Sequence, residues 1–527
     1  MPMNRSDIEK SYPGCRSFLD DDTWSRIISE CCHDENPELF PDRMLFLCHN
    51  IGAPGFLPDL ARLEWRILKI KEQDAAVPYH LDETILNPSL QLLAFCWKKL
   101  TDCLISSGSV VPEPGDEFVL IWKHPEDGEV RAKAASAEDL LVIKMILEKI
   151  DHKEVARIGS LPVSAVDAAI DRAVTNGILF AARSRIRRVF PIIASSACND
   201  GLYQVSPAFT MQWHITQVCD LHCRHCYDRS DRSTLSLVDA LKILDDLDRF
   251  CRIKHVVGQV SFTGGNPLLH PDFPNIYEAA ANLGFTLAIL GNPAPREQIE
   301  ALISIQPPSF FQVSLEGLPE YNDFIRGKGH FDRVMDFLDL LRDLDVYSMV
   351  MLTLTRDNLH QVIPLGERLR NRANVFYFNR LAKVGEGASL ELPEKQDFIS
   401  FLENYLAASK ENPVLGFKDN LINVLLHHKG IESFGGCTGF GCGAAFNFLS
   451  VLPDGEVHAC RKFPSAIGSV TTQSLEEIYD SDIARQYRSG CAECRPCSLR
   501  PVCGGCLACA YSHGLNIFIE KDPFCFL

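Results

Sequence analysis

The chain has 527 residues, 46% hydrophobic and 23% charged, which is too long for one core and ordinary for soluble globular protein, so three or four domains are expected. The formal net charge of -17 argues against nucleic acid as a partner, because phosphate binding needs a basic face. Residues 1–10 are polar and no apolar run approaches bilayer length, so the expectation is a cytoplasmic protein with no membrane partner.

From residue 1 to 114 the pattern reads as mainly helical, including the apolar run through Leu90, Leu92, Leu93, Phe95 and Trp97, and no chemistry attaches to it. Over residues 115–190 the texture changes. Glu117 to Trp122 alternates like a strand, Pro125 to Gly128 is a turn, and Val130 to Ala134 is a second strand. Helices are expected over Leu140 to Ile150 and Val163 to Asn176, with a closing strand at Gly177 to Phe180. After a loop at Ser195 to Tyr203, apolar strands at Phe209 to Ile215, Val256 to Phe262, Thr286 to Leu290, Phe310 to Leu315, Tyr347 to Leu354 and Val375 to Phe378 alternate with helical stretches. One of these carries Leu237, Leu241, Leu244 and Leu247 behind a Ser236 cap. Six such units predict an α/β fold, a parallel sheet closing only part of a barrel over residues 205–392, with chemistry at the C-terminal strand ends. A helical linker (393–434) and a cysteine-rich domain (435–527) follow.

Cysteine is the outlying residue: 21 are present, densest from Cys219 to Cys226 and from Cys437 to Cys525. In a reducing compartment such clusters read as metal sites before disulfides. Isolated thiols such as Cys48, Cys96, Cys198 and Cys251 read as small buried hydrophobes. Directly after the first strand, Cys219, Cys223 and Cys226 are spaced by three and then two residues. Three thiolates so spaced can wrap one face of a cubane cluster and leave its fourth iron open to the amino and carboxylate groups of a methionine-type cofactor. Zinc, with His222 or His225 as fourth ligand, is the alternative.

Later strand ends carry matching features. Gly264 and Gly265, followed by Asn266 and Pro267, would let backbone approach a ligand while the amide accepts from its ammonium group. Ser314 and Glu316 could take ribose hydroxyls, and Arg326 a carboxylate. The loop from Asn379 and Arg380 to Gly385 and Gly387 suits an adenine edge. In the C-terminal field, eight of ten thiols could complete two closed tetrathiolate clusters, or two zinc ribbons.

Over about Phe209 to Leu390 this order of motifs resembles the radical S-adenosylmethionine superfamily. The departures are Asn266, where the family more often has glutamate, and His225, where it has an apolar aromatic residue. The C-terminal spacing resembles the SPASM extension. That resemblance implies one auxiliary cluster on Cys437, Cys442, Cys460 and Cys506 and another on Cys494, Cys497, Cys503 and Cys525. Cys491 and Cys509 are left over, either able to replace a neighbour. The hairpin-and-helix module is similar to the winged-helix leader-recognition domain of peptide-modifying enzymes. Together the resemblances imply S-adenosylmethionine and three 4Fe-4S clusters, a precursor peptide as substrate and a flavodoxin or ferredoxin as electron donor. Within the peptide maturases the chain most resembles the selenobiotic or thio(seleno)oxazole subgroup. Sulfatase maturation, haem side-chain chemistry and a non-catalytic iron-sulfur sensor are the competing expectations.

Overall fold

The computed structural model describes residues 5–31, 39–73, 81–105, 110–161, 163–188 and 202–527. It divides into two compact units, residues 1–161 with 165–183, and residues 162–164 with 184–527.

The first unit opens with helices at Arg5–Ser11, Pro13–Ser17, Asp21–Cys31, Phe40–Ile51 and Leu57–Glu72. The last of these has Pro58 and Asp59 in its first turn and Lys69 and Lys71 in its last, the arrangement that suits the helix dipole. It buries Leu57, Leu60, Ala61, Leu63 and Trp65. Strands β1 (Ile85–Leu86), β2 (Gln91–Lys98), β3 (Glu113–Lys123), β4 (Val130–Ala134) and β5 (Leu179–Phe180) follow. The run at Leu90 to Trp97, expected as helix, is mostly β2, antiparallel to β3. Its period is two: Leu93, Phe95 and Trp97 pack on the helical core, while Leu92, Ala94 and Cys96 are exposed. Apolar residues on both faces hid that alternation. Cys96 is therefore not the buried hydrophobe expected of it, whereas Cys48 and Cys251 are buried; Cys198 and most of the loop at Ser195 to Tyr203 lie outside the described residues.

β3 is shared by two cores. Val119 and Ile121 face the helical core, and Leu120 and Trp122 face a second one built with Val142, Ile143, Ala169 and Ala173. The hairpin to β4 forms as expected, with helices at Ala137–Glu148, His152–Gly159 and Val163–Thr175. Ser136 and Asp139 cap the first of these reciprocally. β5 pairs with β1 rather than returning to the hairpin.

In the second unit β6 (Ala208–Thr216), β7 (Val257–Gly264), β8 (Thr286–Leu290), β9 (Phe310–Ser314), β10 (Ser348–Leu354) and β11 (Val375–Arg380) run parallel in that spatial order. Between them lie helices, among them Leu237–Lys254, Phe273–Asn282, Arg296–Ile305, His330–Asp343 and Val362–Leu369. β6 and β11 stay apart, so the sheet is open, and β12 (Phe448–Val451) takes the free edge of β6 in parallel. β13 (Glu456–His458) and β14 (Ala466–Ser469) continue antiparallel. The cysteine-rich segment thus extends the barrel sheet to nine strands. One core runs through Trp213, Phe262 and Val313 of the parallel strands and on to Leu449, Val457 and Ile467.

Candidate active site at the C-terminal strand ends

A cavity of about 400 Å³ lies at the C-terminal ends of the parallel strands. The loop after β6 lines it with Cys219, Cys223 and Cys226, β7 with Gly264 and Gly265, β9 with Ser314, and β10 with Thr353. The two glycines are required by the chain itself. A Cβ on Gly264 would stand 2.2 Å from the Thr216 carbonyl oxygen, and one on Gly265 2.2 Å from that of Val218. The Gly265 and Asn266 N–H groups donate to these two carbonyls at 2.8 Å, clamping the root of the cysteine loop. Gly385 does the same at the other end, where its Cβ would meet the Tyr227 carbonyl at 2.5 Å.

Asn266 is 4% exposed. Its Oδ1 accepts from the Leu268 N–H at 3.3 Å, capping the short turn that Pro267 begins, and its Nδ2 donates to Asp220 at 3.1 Å. Asn292 donates to the same Asp220 oxygen at 2.6 Å and lies 3.7 Å from the Cys219 sulfur. The carboxylate absent at position 266 is therefore present next to it, inside the cysteine loop.

Ser314 faces the cavity. Glu316 is buried, and its oxygens are taken by protein donors: Arg326 at 2.5 Å, the Thr353 N–H at 2.8 Å, and His225 at 3.1 Å. Burial alone would raise this carboxyl, but His225 and Arg326 outweigh it and hold it down at about 2. Arg326 also reaches to 3.7 Å from the Cys223 sulfur, so the guanidinium bridges the carboxylate and the cysteine loop. Arg380 lines the cavity, and its guanidinium is paired with Asp419 and Asp522.

Burial raises the pKa of all three loop thiols, Cys219, Cys223 and Cys226. Buried thiols of this kind become thiolates when a metal supplies the positive charge, so the set fits a cluster. The C-terminal thiols fall into two sets. Burial pushes Cys442 to about 12 and Cys460 to about 11, and the charged neighbours of both include Cys437 and Cys506. Cys494, Cys497, Cys503 and Cys525 line a separate small cavity of about 20 Å³. Cys509 adjoins Cys506, and Cys491 adjoins Cys494, so each leftover thiol neighbours one set. Among the described residues no three His, Cys, Asp or Glu side chains converge on a single-ion site.

Several residues at the site were not singled out in the sequence. Arg461 and Lys462, directly after Cys460, line the cavity, with Arg461 donating to Thr263 at 3.0 Å. Tyr227 packs against buried His214, its hydroxyl 3.3 Å from the ring nitrogens. Burial, then Arg461, holds His214 well below its ordinary value. The only local signal for Arg461, Lys462 and Tyr227 was adjacency to a cysteine.

Residues 213–369 match the radical SAM superfamily, and residues 442–507 match SPASM, an iron-sulfur cluster-binding domain. The chain is 25% identical over 332 residues to the antilisterial bacteriocin subtilosin biosynthesis protein AlbA of Bacillus subtilis, covering 59% of this chain and 70% of that protein. It is 26% identical over 336 residues to the mycofactocin maturase MftC of Mycolicibacterium smegmatis, covering 60% and 82%. It is 26% identical over 348 residues to an AdoMet-dependent heme synthase of Methanosarcina barkeri, covering 59% and 95%. The fold is shared with Streptococcus suis SuiB, solved bound to the precursor peptide SuiA, with a TM-score of 0.51 and 16% identity over 78% of this chain and 96% of that one. With an open parallel sheet presenting three thiols at its strand ends and a cysteine field continuing that sheet, residues 213–369 form a radical SAM domain and residues 442–507 a SPASM domain, whose chemistry uses S-adenosylmethionine and 4Fe-4S clusters.

Proposed function

We propose that this enzyme is a cytoplasmic maturase of a ribosomally made precursor peptide, served by a flavodoxin- or ferredoxin-type electron donor. The observation that carries the reading is the first unit, which has cores of its own. Among the described residues its three-stranded sheet pairs β2 and β4 on one side only, with Leu92 and Phe118 exposed. An extended peptide can add to such an edge, taking affinity from main-chain hydrogen bonds and specificity from alternate side chains. Anchoring there would raise the effective concentration of the reacting segment. Residues 115–190 are the recognition module on this reading, and the role of residues 1–114 includes supporting it, since β2 and β3 share a sheet.

Cys219, Cys223 and Cys226 would hold the cluster that binds S-adenosylmethionine, which would supply radical chemistry able to take hydrogen from substrate. The chain's own residues hold and orient. Gly264, Gly265 and Gly385 clamp the cysteine loop, and Ser314 offers a hydroxyl to the cavity. Glu316, with the charge of Arg326 beside it, braces the loop from below. We assign two auxiliary clusters to the sets on Cys437, Cys442, Cys460 and Cys506 and on Cys494, Cys497, Cys503 and Cys525.

A second reading, haem side-chain chemistry, is favoured by the heme synthase relative, matched over 95% of its length. Anaerobically reconstituted enzyme incubated in parallel with candidate precursor peptides and with iron porphyrins, followed by mass analysis, separates the two. Modified peptide supports the maturase. A porphyrin mass change without peptide modification replaces it. A truncated enzyme lacking residues 1–183 should still form deoxyadenosine without substrate while peptide modification falls steeply; native-rate modification would remove the recognition role.

A further inference from the structure

Arg380 ends β11, and its side chain is 0% exposed between Asp419 and Asp522, themselves 6% and 1% exposed. Its Nη1 and Nη2 donate to the two oxygens of Asp522 at 2.9 and 2.7 Å, and its Nε donates to Asp419 at 2.7 Å. Phe398 and Phe524 flank the guanidinium, with ring centroids at 5.2 and 5.3 Å. This is a bidentate pair in a dry setting, where geometry is specified along with energy.

The two carboxylates lead on to the cysteine loops. Asp522 Oδ2 accepts from the Cys506 N–H at 2.8 Å, and Asp522 Oδ1 from the Phe524 N–H at 3.0 Å, one residue before Cys525. Asp419 is followed by Asn420, whose Oδ1 accepts from the Cys437 N–H at 2.7 Å and whose Nδ2 donates to the Gly505 carbonyl at 2.6 Å. Thus Cys437 and Cys506 of one thiol set, and Cys525 of the other, hang from segments that converge on one guanidinium. Arg380 itself lines the cavity together with the next residues, Leu381 and Ala382, while its guanidinium is taken up by the two carboxylates.

We propose that Arg380, with Asp419 and Asp522, is a positioning residue that fixes the ligand loops of both auxiliary thiol sets to the end of β11, and that it does not hold S-adenosylmethionine. The inference rests on the reading of the two sets as cluster sites. A lysine cannot span both carboxylates, and an asparagine at 522 keeps an acceptor oxygen for the backbone while losing the charge, so Arg380→Lys and Asp522→Asn loosen the fork without emptying its space. Removing one partner of a buried ion pair leaves the other uncompensated, and the strain falls on the loops it holds.

The test uses the full chain, purified anaerobically, with iron and sulfide content, the electron paramagnetic resonance spectrum and midpoint potential of each cluster, and S-adenosylmethionine affinity by calorimetry. Native protein should hold about twelve irons in three cubanes. About four irons, or zinc in the C-terminal sets, would sink the cluster reading itself, separately from the role of Arg380. In both variants the expected result is loss of about four to eight irons, or shifted midpoints of both auxiliary clusters. The first cluster should keep its spectral response to S-adenosylmethionine, with Kd within about twofold. Unchanged auxiliary clusters with Kd raised about tenfold would make Arg380 a cofactor ligand and overturn the proposal. Unchanged values throughout would overturn it too, as would loss of all three clusters together in Asp522→Asn, since the fork would then support the whole unit rather than these loops.

Discussion

Glu316 braces the cysteine loop through Arg326 and His225. Its carboxyl lies near 2 in the folded chain, against about 4.3 for a free glutamate, so its ionisation favours folding. The sign follows from the lowered value: the contribution is complete above about pH 4.3 and fades as pH falls through the folded value. Glu316→Gln should lower the stability of the metal-free protein at neutral pH by roughly 2–4 kcal/mol, because Arg326 is left without its buried partner. The gap between variant and native protein should begin to narrow near pH 4 and close as pH approaches about 2. Denaturant melts at stepped pH check this; a gap independent of pH would place the effect in packing. Asn266 gives a second residue-scale expectation. The Asn266→Glu variant sets a carboxylate against Asp220, now 3.1 Å from the amide nitrogen, so the single change should weaken S-adenosylmethionine binding. The pair Asn266→Glu with Asp220→Asn should restore it by exchanging the charge across the contact. Calorimetry on all three variants decides, and tighter binding by the single variant would show that position 266 prefers charge.

At the scale of elements, the cysteine loop is held at both ends by glycine contacts rather than by its own conformation. Gly265→Ala would press a methyl group on the Val218 carbonyl, which backbone on both sides prevents from moving away. It should therefore cost about four irons and abolish deoxyadenosine formation, while the C-terminal sets keep theirs. Iron analysis and cofactor turnover measure both effects, and full iron with normal turnover would mean the loop relaxes around the methyl. The same scale explains the misread strand. β2 carries apolar side chains toward the helices and also toward its exposed face, so neither period stands out in the sequence. Its pairing with β3 settles the matter, and no local pattern encodes that pairing.

For the whole molecule, one sheet joins the barrel and the cysteine-rich segment, yet their thiol sets remain separate sites. Replacing Cys219, Cys223 and Cys226 together by alanine should remove about four irons and all deoxyadenosine formation and leave the other irons in place. If turnover survived that change, the assignment of the first cluster would fall. No described helix is long and apolar enough to cross a membrane.

What the sequence determined by itself is what depends on spacing along the chain. Three thiols within eight residues, glycines directly after a strand, and strands repeating with helices between them are legible because neighbours in sequence must share the same ligand or the same sheet. The two memberships of the C-terminal thiols come from a resemblance and stand as a proposal, while Cys494, Cys497, Cys503 and Cys525 line one small cavity in the folded chain. Only the tertiary structure decided where long side chains end. Arg380 and Glu316 both stand at strand ends that read as cofactor contacts. Burial there favours whichever partner neutralises the charge, and Asp522, 142 positions away from Arg380, came within reach only when the chain folded back on itself.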